Sequence, residues 1–315
     1  MNKDTLKKIL SLCIGLLIIG FLCKHIWNYL DILKNSNLSI KWTMLLLSYL
    51  FGLFSFFLYS VAWYLLIRCE NGDIGFIVSN YLLTKGNLGK YIPGRIWQFV
   101  GRVYLFSNMG FSKARIVMIA VVEQYFILLS AFVIFALAYL NYPHIFLDPL
   151  RVNLKLLVIG GLLIGMLSLH PRSIALWNKV VLKITKKEYL QISINFKYVL
   201  LVFGIYIIYW VCIGLSVLFL IKGGVKIPIK YMFFIVGVNA IAYIIGYLSL
   251  ITPGGLGIRE GVLTYLLETI LVKGFGAIVA IGERVMLMAE EVSFFLLMLI
   301  LYKFKKKGLC EQKKK

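Results

Sequence analysis

Apolar runs long enough to cross a bilayer alternate along this chain with short charged stretches. About 20 consecutive apolar residues span the hydrocarbon core. By that measure Ile9–Trp27, Trp42–Ile67, Ile116–Leu140, Tyr198–Ile221, Tyr231–Ile251 and Ala277–Tyr302 read as transmembrane helices. Leu156–Leu169 and Val262–Val272 are shorter apolar runs, each read as a further crossing. The pattern predicts an all-α, polytopic integral membrane protein with about eight transmembrane helices.

One segment departs from the alternation. Ile74–Thr84 is apolar but too short to cross, and Lys85, Lys90, Arg95 and Arg102 then punctuate Gly86–Met109. A solvated loop would explain these charges but not Ile92, Ile96, Trp97, Phe99 and Val100 among them. A re-entrant or broken-helix segment over 74–110, turning near Gly86–Gly89 or at Pro93-Gly94, explains both.

The sharpest breaks are Lys90-Tyr91-Ile92-Pro93-Gly94-Arg95 and Thr252-Pro253-Gly254-Gly255-Leu256-Gly257-Ile258-Arg259-Glu260-Gly261. Proline lacks the amide donor and glycine relaxes the backbone, so a helix does not run through either. Broken backbone at membrane depth survives only under cover of protein or around a water-filled cavity, and in transporters it builds substrate sites. Free amides at a helix start favour an anion. With Lys90, Arg95 and Arg259, the breaks form a candidate cradle for a headgroup or phosphate, with Glu260 holding Arg259 in place or binding a cationic headgroup. The competing reading is a tight turn that packs helices closely, with Arg259 and Glu260 paired.

A charge in mid-helix costs about 2.5–3.5 kcal/mol on insertion scales, so each needs a partner or a purpose. Glu123 either pairs with Arg102 or Arg115 or lines a polar path. On the last span Arg284 and Glu291 share a face, with Glu283 and Glu290 on the neighbouring stripe, facing a cavity or an ion network and not lipid. The candidate substrate-binding set is Lys90, Pro93, Gly94, Arg95, Arg102, Glu123, Pro253, Gly254, Gly255, Gly257, Arg259, Glu260 and Arg284.

Composition agrees with the class: 61% of residues are hydrophobic and mean hydropathy is +0.90. No stretch between spans reaches the roughly 50 residues of a small soluble domain, so 1–302 reads as one membrane domain and 303–315 as a basic cytoplasmic tail. The net charge of +21 sits in short loops and the tail, as the positive-inside rule requires, which argues against nucleic acid. Anionic lipid headgroups are a secondary partner for these lysines. Placing 170–197 and the tail in the cytosol puts both termini inside when 74–110 makes no net crossing; Lys222, Lys226 and Lys230 then lie outside, against the rule. Lys3, Lys7 and Lys8 before Ile9–Leu22 resemble a signal peptide, but no small-x-small site follows, so a retained first span is expected. Each half holds two spans, a Pro-Gly break and two more spans, a hint of duplication.

Cys13, Cys23, Cys69, Cys212 and Cys310 form no C-x-x-C pair, and His25, His144 and His170 have no ligand spacing. There is no P-loop, H-E-x-x-H or G-x-S-x-G. No cofactor, metal or catalytic residue is expected.

Gly86-Asn87-Leu88-Gly89-Lys90-Tyr91-Ile92-Pro93-Gly94-Arg95, Gly101-Arg102, Gly110-Phe111-Ser112, Glu123-Gln124, the second break and Arg284 together resemble the lysylphosphatidylglycerol synthase transmembrane region, over nearly the whole chain. The resemblance implies a flippase-like membrane domain that moves lipid between leaflets. It does not imply aminoacyl transfer, which in the full-length enzymes belongs to a separate soluble domain not expected after Tyr302. The expected function is lipid translocation in the cell (inner) membrane, passive or coupled to an ion gradient, with an anionic or headgroup-modified lipid as partner. The alternative is an accessory or scaffold subunit for an envelope glycosyltransferase; homo-oligomerisation is a further partner expectation.

Overall fold

The computed structural model describes residues 40–69, 74–91, 96–143, 146, 154–170, 172–173, 176, 179, 195–249 and 257–312. Among these the fold is all-α, without a strand. Membrane-length helices are α1 (Trp42–Cys69), α4 (Lys113–Asn141), α6 (Phe196–Gly224), α7 (Met232–Leu248, extended to Ile229 by a 3-10 turn) and α9 (Phe275–Gln312, apolar as far as Tyr302). The shorter helices are α2 (Phe76–Asn87), α3 (Trp97–Ser107), α5 (Leu154–Ser168) and α8 (Ile258–Leu267). The expected span Ile9–Trp27 lies outside the described residues. The crossing expected over Val262–Val272 is displaced, because α8 starts at Ile258 and stops at Leu267. Ten residues rise about 15 Å, half the hydrocarbon thickness. α8 is therefore a half-helix. It ends in a turn in which the Glu268 carboxylate accepts the Gly274 amide at 2.8 Å.

The helix ends sort onto two faces. The Lys41 amide donates to the Gly223 carbonyl at 2.9 Å, so α1 begins where α6 ends. Tyr142 Oη donates to the Lys230 carbonyl at 2.6 Å, which brings the end of α4 and the start of α7 to that face. At the opposite face His170 lies 6.5 Å from Phe196, joining the end of α5 to the start of α6. Tyr81 of α2 stacks on Tyr302 of α9 at 4.4 Å, near the basic end of the last helix. One buried apolar cluster, with Leu66, Leu83, Phe106, Ile116 and Val199, fills the half near the second face. Another, with Ile221, Ile227, Phe234, Leu267 and Phe275, fills the half near the first.

α2 and α3 pack on each other as a hairpin joined across 88–96. Its base is at the basic end of α9, and its tip touches Glu291 of the same helix. Glu291 is 16 residues from Phe275 and 11 from Tyr302, the ends of the apolar part of that helix, or about 24 Å and 16 Å along a helix. The tip is thus at mid-depth, as a re-entrant segment requires. Gly86 permits the hairpin: a Cβ there would stand 2.8 Å from Arg102 Cγ and 3.0 Å from the Arg102 backbone nitrogen.

Candidate functional site

Arg102, on α3, is 2% exposed. Its Nε donates to Asn87 Oδ1 at 2.7 Å, and its Nη1 and Nη2 donate to the Glu123 carboxylate and to Tyr59 Oη. The guanidinium also sits 4.8 Å from the Trp63 ring centre. One side chain thereby ties the hairpin to α1 and to α4. Of the partners open to Glu123, the fold selects Arg102. Burial alone would forbid either charge; together, with the neutral donors and acceptor around them, they are tolerated.

The start of α8 builds a second cluster. Gly257 has φ +84°, a conformation suited to glycine. Its amide donates to Glu260 Oε2 at 2.7 Å, closing the first turn from the third helical position. Glu260 also faces Arg284 Nε at 3.5 Å. Arg259 is not held by Glu260, as the sequence had suggested, but pairs with Glu283 of α9. Glu260 folds back on its own N-terminus, while Arg259 projects between α7 and α9, where Asn239 Oδ1 accepts from it at 3.4 Å. Gly246 opens that space, since a Cβ there would lie 2.8 Å from Arg259 Cβ.

The hairpin tip supplies the third cluster. Lys90 Nζ lies 2.7 Å from Glu291 Oε2, and Tyr91 Oη donates to the same oxygen at 2.6 Å. Lys90 feels the charges of both Arg259 and Arg284. Tyr209 of α6 bridges the clusters: its ring is 6.3 Å from that of Tyr59, and it lies within electrostatic reach of Arg259, Glu283, Glu290 and Glu123.

Lys90, Gly257, Arg259, Glu260 and Arg284 are thus brought to one region at mid-depth, with Arg102 and Glu123 one tyrosine pair away. Pro93, Gly94 and Arg95, and Pro253, Gly254 and Gly255, lie outside the described residues. Tyr59, Asn87, Tyr209 and Asn239 were not singled out from sequence. Asn239 carried a signal, a lone amide inside the apolar α7. Tyr59 and Tyr209 carried none, because tyrosine is ordinary in membrane helices.

Long apolar helices around half-helices that meet in a buried charged centre define a multi-pass membrane protein. The chain belongs to the lysylphosphatidylglycerol synthase TM region family, whose profile matches residues 8–300. That membership associates it with lipid-related synthesis or transport. No curated protein matches the sequence.

Proposed function

We propose that the protein is a lipid translocase, moving a phospholipid or lipid-linked headgroup between the leaflets of the cell (inner) membrane. The observation that carries this reading is a buried guanidinium donor without an acceptor where the half-helix begins. Arg259 Nε is buried and has no hydrogen-bond partner among the described residues. A buried donor left unpaired costs about 1–3 kcal/mol. A phosphate oxygen would satisfy this donor, and Lys90 and Arg284 would add charge beside it. An anionic headgroup is the ligand this chemistry selects, while its acyl chains remain in lipid. Arg102 and Glu123 act in this reading as a brace for the hairpin, because Nε, Nη1 and Nη2 of Arg102 each have a partner.

The test is reconstitution of the purified chain in vesicles with an acyl-labelled fluorescent phosphatidylglycerol and a membrane-impermeant quencher. Protein-free vesicles lose only their outer-leaflet signal. Vesicles with protein are expected to lose nearly all of it. If the signal does not fall further and the protein instead co-purifies with a glycosyltransferase, a scaffold role replaces translocation.

The face with Lys303, Lys305 and Lys306 is assigned to the cytosol, since short basic segments resist translocation. With Ile9–Trp27 taken as a further crossing, this reading has both termini inside. In intact cells Lys226→Cys should react with an impermeant thiol reagent and Lys305→Cys should not. The reverse labelling would invert the orientation.

A further inference from the structure

Glu290 has no role in the arrangement described so far. It is 1% exposed, and neither carboxyl oxygen has a hydrogen-bond partner among the described residues. Its neighbours on α9 are provided for: Glu283 has Arg259 and Glu291 has Lys90. The space around Glu290 is also shaped to hold it. A Cβ on Gly52 of α1 would overlap the Glu290 carboxyl group, so the glycine makes a notch that the acid fills.

Other ionisable groups are close but engaged elsewhere. From α1, Tyr49 donates to Ser293 at 2.6 Å. From α6, Tyr209 lies within electrostatic reach, and Glu290 also feels Glu283 on its own helix. From the hairpin tip, Lys90 and Tyr91 are turned to Glu291. From α8, Arg259 is turned to Glu283, and Glu260 lies toward Arg284.

An ionised carboxylate buried without a counter-charge is far costlier than the neutral acid. Among the described residues of the cluster, a proton on Glu290 leaves Lys90, Arg259 and Arg284 balancing Glu260, Glu283 and Glu291. Without that proton the cluster carries an extra negative charge and repels an anion. An anionic headgroup is therefore accepted only in the protonated state.

From this geometry we infer that Glu290 is a proton-coupling site: it takes one proton with each anionic headgroup and releases it when the headgroup leaves. The step is an acid–base exchange with water. An O–H bond forms on the carboxylate at loading and breaks at release, with hydronium as donor and water as acceptor. The inference rests on the translocation reading and adds its driving force. Protons and lipid move in the same direction.

The experiment uses the full chain in phosphatidylcholine vesicles with a fluorescent phosphatidylglycerol and an imposed difference of one pH unit. One-to-one coupling predicts an about tenfold excess of labelled lipid in the leaflet away from the acidic side, matching the tenfold proton ratio. Glu290→Gln, which mimics the protonated acid, should still exchange lipid but give equal leaflets. Equal leaflets with the wild-type chain overturn the coupling, as does an unchanged excess with Glu290→Gln. Failure of the wild-type chain to move lipid under any condition instead overturns the translocation reading. Infrared spectroscopy gives an independent readout. With phosphatidylglycerol bound, a protonated-carboxyl band at neutral pH should be present in the wild type and missing in Glu290→Gln, and a lipid-loaded wild type without that band overturns the inference.

Discussion

Arg102→Ala is expected to destabilise the protein by about 3–5 kcal/mol, the usual cost of leaving one partner of a buried ion pair alone. Glu123 would remain with 0% exposure and no counter-charge, and α3 would lose its ties to Tyr59 of α1 and to Asn87 of α2. Arg102→Met with Glu123→Gln removes both charges and should recover much of the loss, because a neutral pair carries no desolvation debt. Thermal unfolding in detergent measures both. The double variant should also still translocate lipid once folded, since the pair is assigned a bracing role. A folded double variant without translocation would move Arg102 and Glu123 into the substrate path.

The outline of the fold was legible because membrane-length apolar runs leave few alternatives. α1, α4, α6, α7 and α9 fall on expected spans, and the segment from Ile74 to Gly110 is a hairpin because neither of its helices can cross alone. The displaced boundary at α8 has a physical cause. Apolarity marked Val262–Val272, but the helix start is set by Gly257 and Glu260, which hydropathy ignores. Charged site residues were legible for a similar reason. A charge in an apolar run demands an explanation, so Glu123, Arg259 and Arg284 stood out. Their pairing was not legible. Arg259 lies next to Glu260 in sequence and 24 residues from Glu283, and only the folding of α8 back along α9 decides between them. The tyrosines were the least visible, because their role depends on where the hydroxyl points.

Arg259 separates a structural account of the buried centre from a functional one. Arg259→Ala alone should give little folded protein, because Glu283, 4% exposed, would be left bare. Loss of transport in that variant would therefore say nothing about binding. Arg259→Met with Glu283→Gln removes the bare charge and should restore folding, as at Arg102. Here the two sites should part. If Arg259 meets the headgroup phosphate, the folded double variant loses a charge-assisted hydrogen bond of about 1.5–3 kcal/mol, and translocation should fall roughly ten- to hundredfold. Arg259→Lys with Glu283 intact keeps the charge but lacks the planar fork, so it should fold and transport at an intermediate rate. Rates are compared per folded molecule in the vesicle assay. A wild-type rate in the Arg259→Met, Glu283→Gln variant would reduce Arg259 to a second brace. The candidate site would then rest on Lys90 and Arg284, whose charges converge on the same depth from the hairpin tip and from α9.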